Sequence, residues 1–392
     1  MKFSHISAFF LVLAVSCSGK EAVPGTGGDE EKENIQVVVN EPDIFAGDHY
    51  TGGHEGYHTF RIPAIVKTPK GTLLAFCEGR KNGGGDSGDI DLVLRRSNDG
   101  GKGWGKVQVV WSDGSNTCGN PCPVVDPETG RVHLLMTWNN GADKSAGDFN
   151  TGLTRDTRRV YYTYSDDEGK TWKTPVEITS QAKKSEWGWY ATGPCHAICL
   201  QHGAHKGRLL FPCDANNKKA DTGNTQGYSL VVYSDDKGAS WHIGGTVKGG
   251  NECSVAELPD GRVFITCRQS GSRLLAWSSD GGETFSSPQS CAALPDPRCQ
   301  GCALSISWNG NDYLLHANCA DATSRVKMRV KKSVDGGNTW SAGYPLPAKY
   351  VAYSDMVMTS DNIFALFYEN GDKGSYERIS FQRINVSYIL NN

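Results

Sequence analysis

One eight-residue pattern, written five times along the chain, limits what it can fold into more than any other feature. The copies are SNDGGKGW at 97–104, SDDEGKTW at 165–172, SDDKGASW at 234–241, SSDGGETF at 278–285 and SVDGGNTW at 333–340. Each reads as a hairpin turn in which the Asp carboxylate accepts backbone N–H groups of a tight loop, Gly takes the positive φ and the aromatic residue packs beneath. The box aspartates are therefore assigned to structure, not to chemistry. A chain built around repeated hairpins is all-β, and its 47 glycines and 10 tryptophans agree with a turn-rich, well-packed β protein.

A second repeat fixes the number of units. A turn followed by an apolar strand recurs six times, at Gly71-TLLAFCEGR, Gly130-RVHLLMTWNN, Gly207-RLLFPCDA, Gly261-RVFITCRQ, Asn311-DYLLHANC and Asp361-NIFALFYEN. Spacings of roughly 50 to 77 residues suit four-stranded blades better than the shorter, uniform repeats of a solenoid. The expectation is a six-bladed β-propeller. Only the first five units carry a box after this strand, so a strand near 34 to 39 is expected to return and close the last blade.

The N-terminus reads differently. Residues 1–17 contain one Lys and an apolar run from Ile6 to Val15, too short to span a bilayer, which is the form of a secretory signal. The segment Leu13-Ala14-Val15-Ser16-Cys17 resembles a bacterial lipoprotein cleavage site, which would leave Cys17 as the lipidated first residue. Residues 18–40 are Gly-rich, charged and poor in large apolar groups, and read as a flexible tether; 41–392 form one domain. This predicts an exported monomer, displayed at the cell envelope and touching membrane only through its lipid anchor. A net charge of −3 gives no footing for nucleic acid.

Twelve further cysteines raise disulfides and metal in turn. Cys299-x-x-Cys302 is half of a zinc motif, but no second CxxC or HxxxH follows at ligand spacing, so no metal is assigned. Cys77, Cys199 and Cys267 lie within apolar runs, where free buried thiols packing as small hydrophobes compete with bridges, and the sequence alone does not give a pairing.

In each unit the start of the first strand and the end of the second meet at one rim of an antiparallel hairpin. Collected there are Arg61 with Glu78 and Arg80, Asn120 with Trp138 and Asn139, and Gly193 with Asp214. Glu252 with Arg268, Gln300 with Asn318 and nearby Arg325, and Tyr353 with Glu369 complete the set. The opposite rim offers turn formers such as TPKG and LPDGR. Three arginines from separate blades, Arg61, Arg268 and Arg325, need an anion between them, and a carboxylate suits guanidinium forks.

At this point the chain resembles the bacterial sialidase family of glycoside hydrolases, over essentially its whole length after the tether. Phe60-Arg61-Ile62-Pro63 matches the family's FRIP signature, GGDSGDIDLVLRRS its acid/base loop, Glu252-Cys253-Ser254-Val255-Ala256-Glu257-Leu258 its ExSVxEL motif, and Tyr353-Ser354-Asp355 its YSD motif. The resemblance implies exo-α-sialidase activity on the terminal sialic acid of glycoconjugates, retaining and without cofactor. Tyr353 would be the nucleophile, Glu252 its base, and Asp86 the acid/base, with Asp89 and Asp91 as local alternatives. Arg61, Arg268 and Arg325 would clamp the substrate carboxylate, Glu369 would brace Arg61, and Arg80 would help bind the sugar ring. Arg329, one strand turn from Arg325, is the position most easily confused with it. Where the family often shows GPGxG this chain has Gly193-Pro194-Cys195-His196-Ala197, a departure in loop geometry. Trp187, Trp189 and Tyr190 precede it and either stack on the sugar or pack in the blade. Two other readings use the same residues: an intramolecular trans-sialidase releasing an anhydro sugar, and a sialic-acid-binding propeller without catalysis.

Overall fold

The computed structural model describes residues 43–46, 54–143, 146–219, 223 and 226–392. The expected signal at 1–17, the tether at 18–40 and the closing strand at 34–39 lie outside the described residues.

The chain is all-β, arranged as six antiparallel four-stranded units. The first runs Thr59–Lys67, Leu73–Arg80, Ile90–Ser97 and Gln108–Trp111, and the second Thr117–Val125, Val132–Asn139, Arg159–Ser165 and Val176–Glu177. These two belong to one hydrogen-bonded sheet through a single parallel pair, Ile90 with Thr117. The third unit is Trp187–Thr192, Leu209–Asn217, Gly227–Ser234 and His242–Lys248, and the fourth Cys253–Glu257, Val263–Cys267, Ser270–Ser278 and Gln289–Pro297. The fifth is Cys302–Trp308, Asn311–Cys319, Met328–Ser333 and Tyr344–Pro345. The sixth takes Tyr350–Ser360, Ile363–Gly371 and Arg378–Asn385 from the C-terminal end of the chain and its fourth strand, Asp43–Ala46, from the N-terminal end.

Burial explains why the second strand of each unit is the most apolar. Leu73–Arg80 is buried at every position, because both of its faces meet neighbouring units. Outer strands such as His242–Lys248 and Gln289–Pro297 alternate or are mostly open. Successive units touch in order, mostly along their first strands, with Leu209–Asn217 of the third unit meeting Cys253–Glu257 of the fourth, and Thr59–Lys67 of the first unit touches Tyr350–Ser360 of the last.

The five boxes tie the units that carry them to the preceding unit. In the second box, the Asp167 carboxylate accepts from Ser165 Oγ at 2.8 Å, Thr171 N at 2.9 Å and Thr171 Oγ1 at 2.6 Å. Burial would raise the pKa of Asp167, but these hydrogen bonds outweigh it and lower the value to about 2. The box aromatics pack beyond their own turns: Trp172 meets Phe76, Trp340 meets Phe264, and Trp104 meets Phe381 at 5.1 Å, each on the preceding unit, the last joining first unit to sixth. Gly337 shows why glycine is required there. Its φ is +97°, and a Cβ would stand 2.8 Å from Phe264.

All 12 cysteines of the described region are free, and Cys77 and Cys267 are buried while Cys199 is half-buried.

Candidate active site

The polar rim residues meet at one mouth, and local backbone irregularity aims them. In the first strand the register slips between Arg61 and Ala64, a bulge that turns Arg61 toward the mouth. Ile62, a β-branched residue, sits at φ +65°, a strained conformation held by its N–H donating to Glu369 Oε1 at 2.9 Å. Glu369 is buried and takes four donors: Arg61 Nε at 2.7 Å and Nη2 at 3.2 Å, Ile62 N, and Tyr353 N at 3.1 Å. One carboxylate thus fixes the arginine and the strand that bears the tyrosine.

Tyr353 Oη donates to Glu252 Oε1 at 2.5 Å, while Arg268 Nη1 donates to Glu252 Oε2 at 2.7 Å and to Tyr353 Oη at 2.9 Å. Burial first, and then Glu252, hold the Tyr353 pKa well above its ordinary value, against the pull of Arg268, Arg325 and Arg61. The resting group is a neutral phenol beside a carboxylate that can take its proton. The guanidinium carbons of Arg61 and Arg325 lie 5.0 and 5.5 Å from the Tyr353 ring centroid, so three arginines surround one phenol.

Asp86 lies across the mouth, its Oδ1 2.8 Å from Arg80 Nη1 and 3.8 Å from Arg61 Nη1. Its side chain is 69% exposed. Desolvation would raise its pKa, but Arg80 and Arg61 outweigh it and hold the carboxyl below its ordinary value. Asp89 and Asp91 point away to Lys81, at 2.8 and 3.1 Å, and Tyr57 also donates to Asp91. Arg325 reaches the mouth, donating to Tyr376 Oη at 2.5 Å, whereas Arg329 is spent on the carbonyls of Ala342 and Gly343. Arg80 is buried and held by Glu78 at 2.6 Å, by Gly84 O at 2.6 Å and by Asp86 at 2.8 Å.

Four neighbours escaped the sequence reading in whole or part. Tyr376, in the loop after Gly371, lies 3.9 Å under Arg61 and accepts from Arg325, bridging two clamp arginines. Arg158 stands buried in the mouth, 4.0 Å from the Trp189 ring. Asp214, present in the rim pattern without a role, accepts from Trp189 Nε1 at 2.9 Å. Asp355, the last residue of the YSD motif, binds His196 Nδ1 at 2.6 Å beneath the site. Of the three aromatic residues before Gly193, Trp187 and Tyr190 are core and Trp189 is half-buried at the mouth. Tyr376 and Arg158 sit in loops with no periodicity, and Arg158 is one of three arginines in RDTRR, so no local signal singles either out.

Comparison with known proteins decides the family. Residues 71–366 match the BNR repeat-like domain. An exo-alpha-sialidase of Aspergillus fumigatus is 33% identical over 368 residues, covering 86% of each chain. The chain belongs to the sialidase family. A Bacteroides fragilis sialidase is 29% identical over 92% of this sialidase and 68% of its own length. Among solved structures, Hadza microbial sialidase Hz136 superposes with a TM-score of 0.76 at 25% identity, over 86% of this chain and 67% of its own. A leech intramolecular trans-sialidase, at 18% identity and TM-score 0.72, shares the fold.

Proposed function

We propose that this sialidase is an exo-α-sialidase, a glycoside hydrolase that removes terminal sialic acid from glycoconjugates with retention of configuration, at the mouth of a six-bladed β-propeller. The relatives named above support the hydrolase reading. The propeller reading is supported by the cyclic order of unit contacts, with the first unit touching the sixth both along their first strands and through Trp104 on Phe381.

The observation that carries the mechanism is the Tyr353–Glu252 hydrogen bond at 2.5 Å inside an arginine cluster. Sialic acid bears a carboxylate on its anomeric carbon, so a carboxylate nucleophile would be repelled and a neutral phenol is not. Arg61, Arg268 and Arg325 receive the substrate carboxylate, which brings the anomeric carbon to Tyr353 Oη. Tyr353 attacks as Glu252 takes its proton, forming a glycosyl-tyrosine that water then hydrolyses. Asp86 protonates the departing oxygen and afterwards accepts a proton from the water. Glu369 acts through Arg61 and the Tyr353 backbone, without touching substrate. The partners are sialylated glycans. The signal and lipid-anchor pattern at 1–17 favours export and display at the cell envelope.

The test is release of 4-methylumbelliferone from its α-sialoside by the purified protein, beside Tyr353→Phe, with the sugar identified by mass. Free sialic acid from wild type and strong loss in the variant are expected. An anhydro sugar would make it an intramolecular trans-sialidase, and binding without turnover would make it a lectin.

A further inference from the structure

Gln300 belongs to the polar rim, yet neither the arginine clamp nor the proton transfers account for it. It sits in the segment joining the last strand of the fourth unit, Gln289–Pro297, to the first strand of the fifth, Cys302–Trp308, and it is wholly buried. Its Oε1 accepts from Ser354 N at 2.9 Å, and its Nε2 donates to Ser354 O at 3.0 Å and to Pro194 O at 3.1 Å. One amide therefore takes both backbone polar groups of the residue next to Tyr353.

The strand itself explains why an amide is needed there. Tyr350–Ser360 ends its sheet, with a ladder along one edge only. On that edge the register breaks between Val351 and Ser354, and no ladder pair includes Ala352 or Tyr353. On the other edge no strand follows, and without Gln300 the N–H and C=O of the buried Ser354 would be stranded. Glu369 takes Tyr353 N at 3.1 Å and Gln300 takes Ser354, so two side chains do here what a neighbouring strand does elsewhere.

The segment that carries Gln300 is fixed independently. Asp296 and Arg273, both fully buried, pair at 3.1 Å. Asp296 Oδ1 accepts from Cys299 N at 2.8 Å, and Arg273 Nη1 donates to Cys299 O at 2.9 Å. Asp296 Oδ2 also accepts from Gln269 N at 2.9 Å, beside Arg268, and the Arg298 carbonyl accepts from Arg325 Nη2 at 3.0 Å. None of these bonds uses the Gln300 amide, so the supports of both arginines survive its removal.

We propose that Gln300 is a positioning residue for the nucleophile: its amide fixes Ser354 and thereby sets the Tyr353 phenol against Glu252, without touching substrate. This rests on the sialidase reading given above, with Tyr353 attacking the anomeric carbon. A displacement of about 1 Å at the reacting atoms can cost on the order of 10²-fold in rate. Loosening Ser354 therefore slows attack, while Arg61, Arg268 and Arg325 still receive the carboxylate.

The experiment measures kcat/KM for the 4-methylumbelliferyl α-sialoside and the inhibition constant of free sialic acid on wild type, Gln300→Met and Gln300→Glu, with melting temperatures as a check on folding. Met matches the length of Gln and makes none of its hydrogen bonds. Glu keeps the acceptor for Ser354 N and sets an oxygen against the carbonyls of Ser354 and Pro194. Both are expected to lower kcat/KM by roughly 10²-fold and to leave the inhibition constant unchanged. An inhibition constant that rises in step with the loss of kcat/KM would mean that the whole mouth is deformed, and the proposal fails. It fails equally if both variants keep the wild-type kcat/KM, since Tyr353 is then held without Gln300. Should Gln300→Met not fold, the same two constants on Gln300→Glu decide alone. Wild type that binds sialic acid without turnover would instead overturn the sialidase reading itself.

Discussion

Replacing Glu369 by Gln tests how the clamp is held in place. The carboxylate takes two donors on each oxygen: Arg61 Nε and Ile62 N on Oε1, and Arg61 Nη2 and Tyr353 N on Oε2. Gln keeps one accepting oxygen and sets an N–H₂ group against two N–H donors. It also leaves Arg61, whose side chain is 6% exposed, without its counter-charge. Breaking a buried pair in this way costs about 3–5 kcal/mol, a large share of the stability of one domain. With an unfolding entropy of about 2.1 cal/mol/K per residue over roughly 350 residues, that is a fall in Tm of about 4–7 °C. KM should rise more than kcat falls, because the lost order lies in Arg61, the group proposed to receive the substrate carboxylate. Thermal unfolding monitored by circular dichroism, beside steady-state kinetics, measures both. The double variant Arg61→Met with Glu369→Gln should melt above Glu369→Gln alone, since no charge is then stranded. A Glu369→Gln protein that melts within 1 °C of wild type, or a double variant no better than the single, would refute the reasoning.

The box aspartates should behave as structure: Asp167→Ala is expected to cost about 1–3 kcal/mol in urea unfolding, for the turn donors it strands, and to leave KM unchanged. Gly337→Ala should destabilise through both its φ of +97° and the 2.8 Å approach to Phe264, again without changing KM. His133 is buried on the second strand of the second unit against Tyr162 Oη, and burial, then Arg131, lower its pKa to about 4. Neutral when folded and protonated below about 6.5 when unfolded, it contributes stability that is complete above that pH and is lost as the pH falls toward 4, about 3 kcal/mol in all. His133→Gln should flatten the dependence of Tm on pH across that window.

The architecture was legible because the repeats are punctuation: six turn-and-strand copies mark six units, and the Ser-Asp-Gly spacing specifies a hydrogen-bonded turn that needs no tertiary partner. What the box aromatics touch was not legible, since Trp104 and Phe381 are brought together only by the return of the chain. The same holds for the closing strand, observed as Asp43–Ala46, where edge pairing with Arg378–Asn385 sets the register. Arg61, Arg268 and Tyr353 stand at strand ends, where periodicity fixes the rim they face. Arg158 and Tyr376 lie on loops, and no pattern says which arginine of RDTRR turns inward. The surroundings that shift Asp214 are likewise invisible in FPCDAN, because they come from Trp189 on the neighbouring strand and from Asn251 and Glu252 in the turn before Cys253–Glu257.

Asp86 presents the sharpest electrostatic problem in the site. A general acid must hold a proton, yet in the resting mouth Arg80 and Arg61 favour its ionised form. The substrate resolves this. On the proposed mechanism its carboxylate docks on Arg61, which would cancel much of the field that Arg61 exerts at Asp86 and add a negative charge, and both effects would raise the Asp86 pKa. In that proposal Asp86 gains its proton on arrival of the anion it acts on, and a neutral sugar would not trigger it. The pKa on the alkaline limb of kcat, which reports the bound complex, should therefore lie above that of kcat/KM, which reports the free enzyme. Arg80→Met should raise the kcat/KM limb toward the kcat limb by removing the nearer cation. Sialyllactose is the substrate to use, since its poor leaving group needs the proton. Coincident limbs in wild type, or an unmoved limb in Arg80→Met, would show that Asp86 does not gain its proton this way.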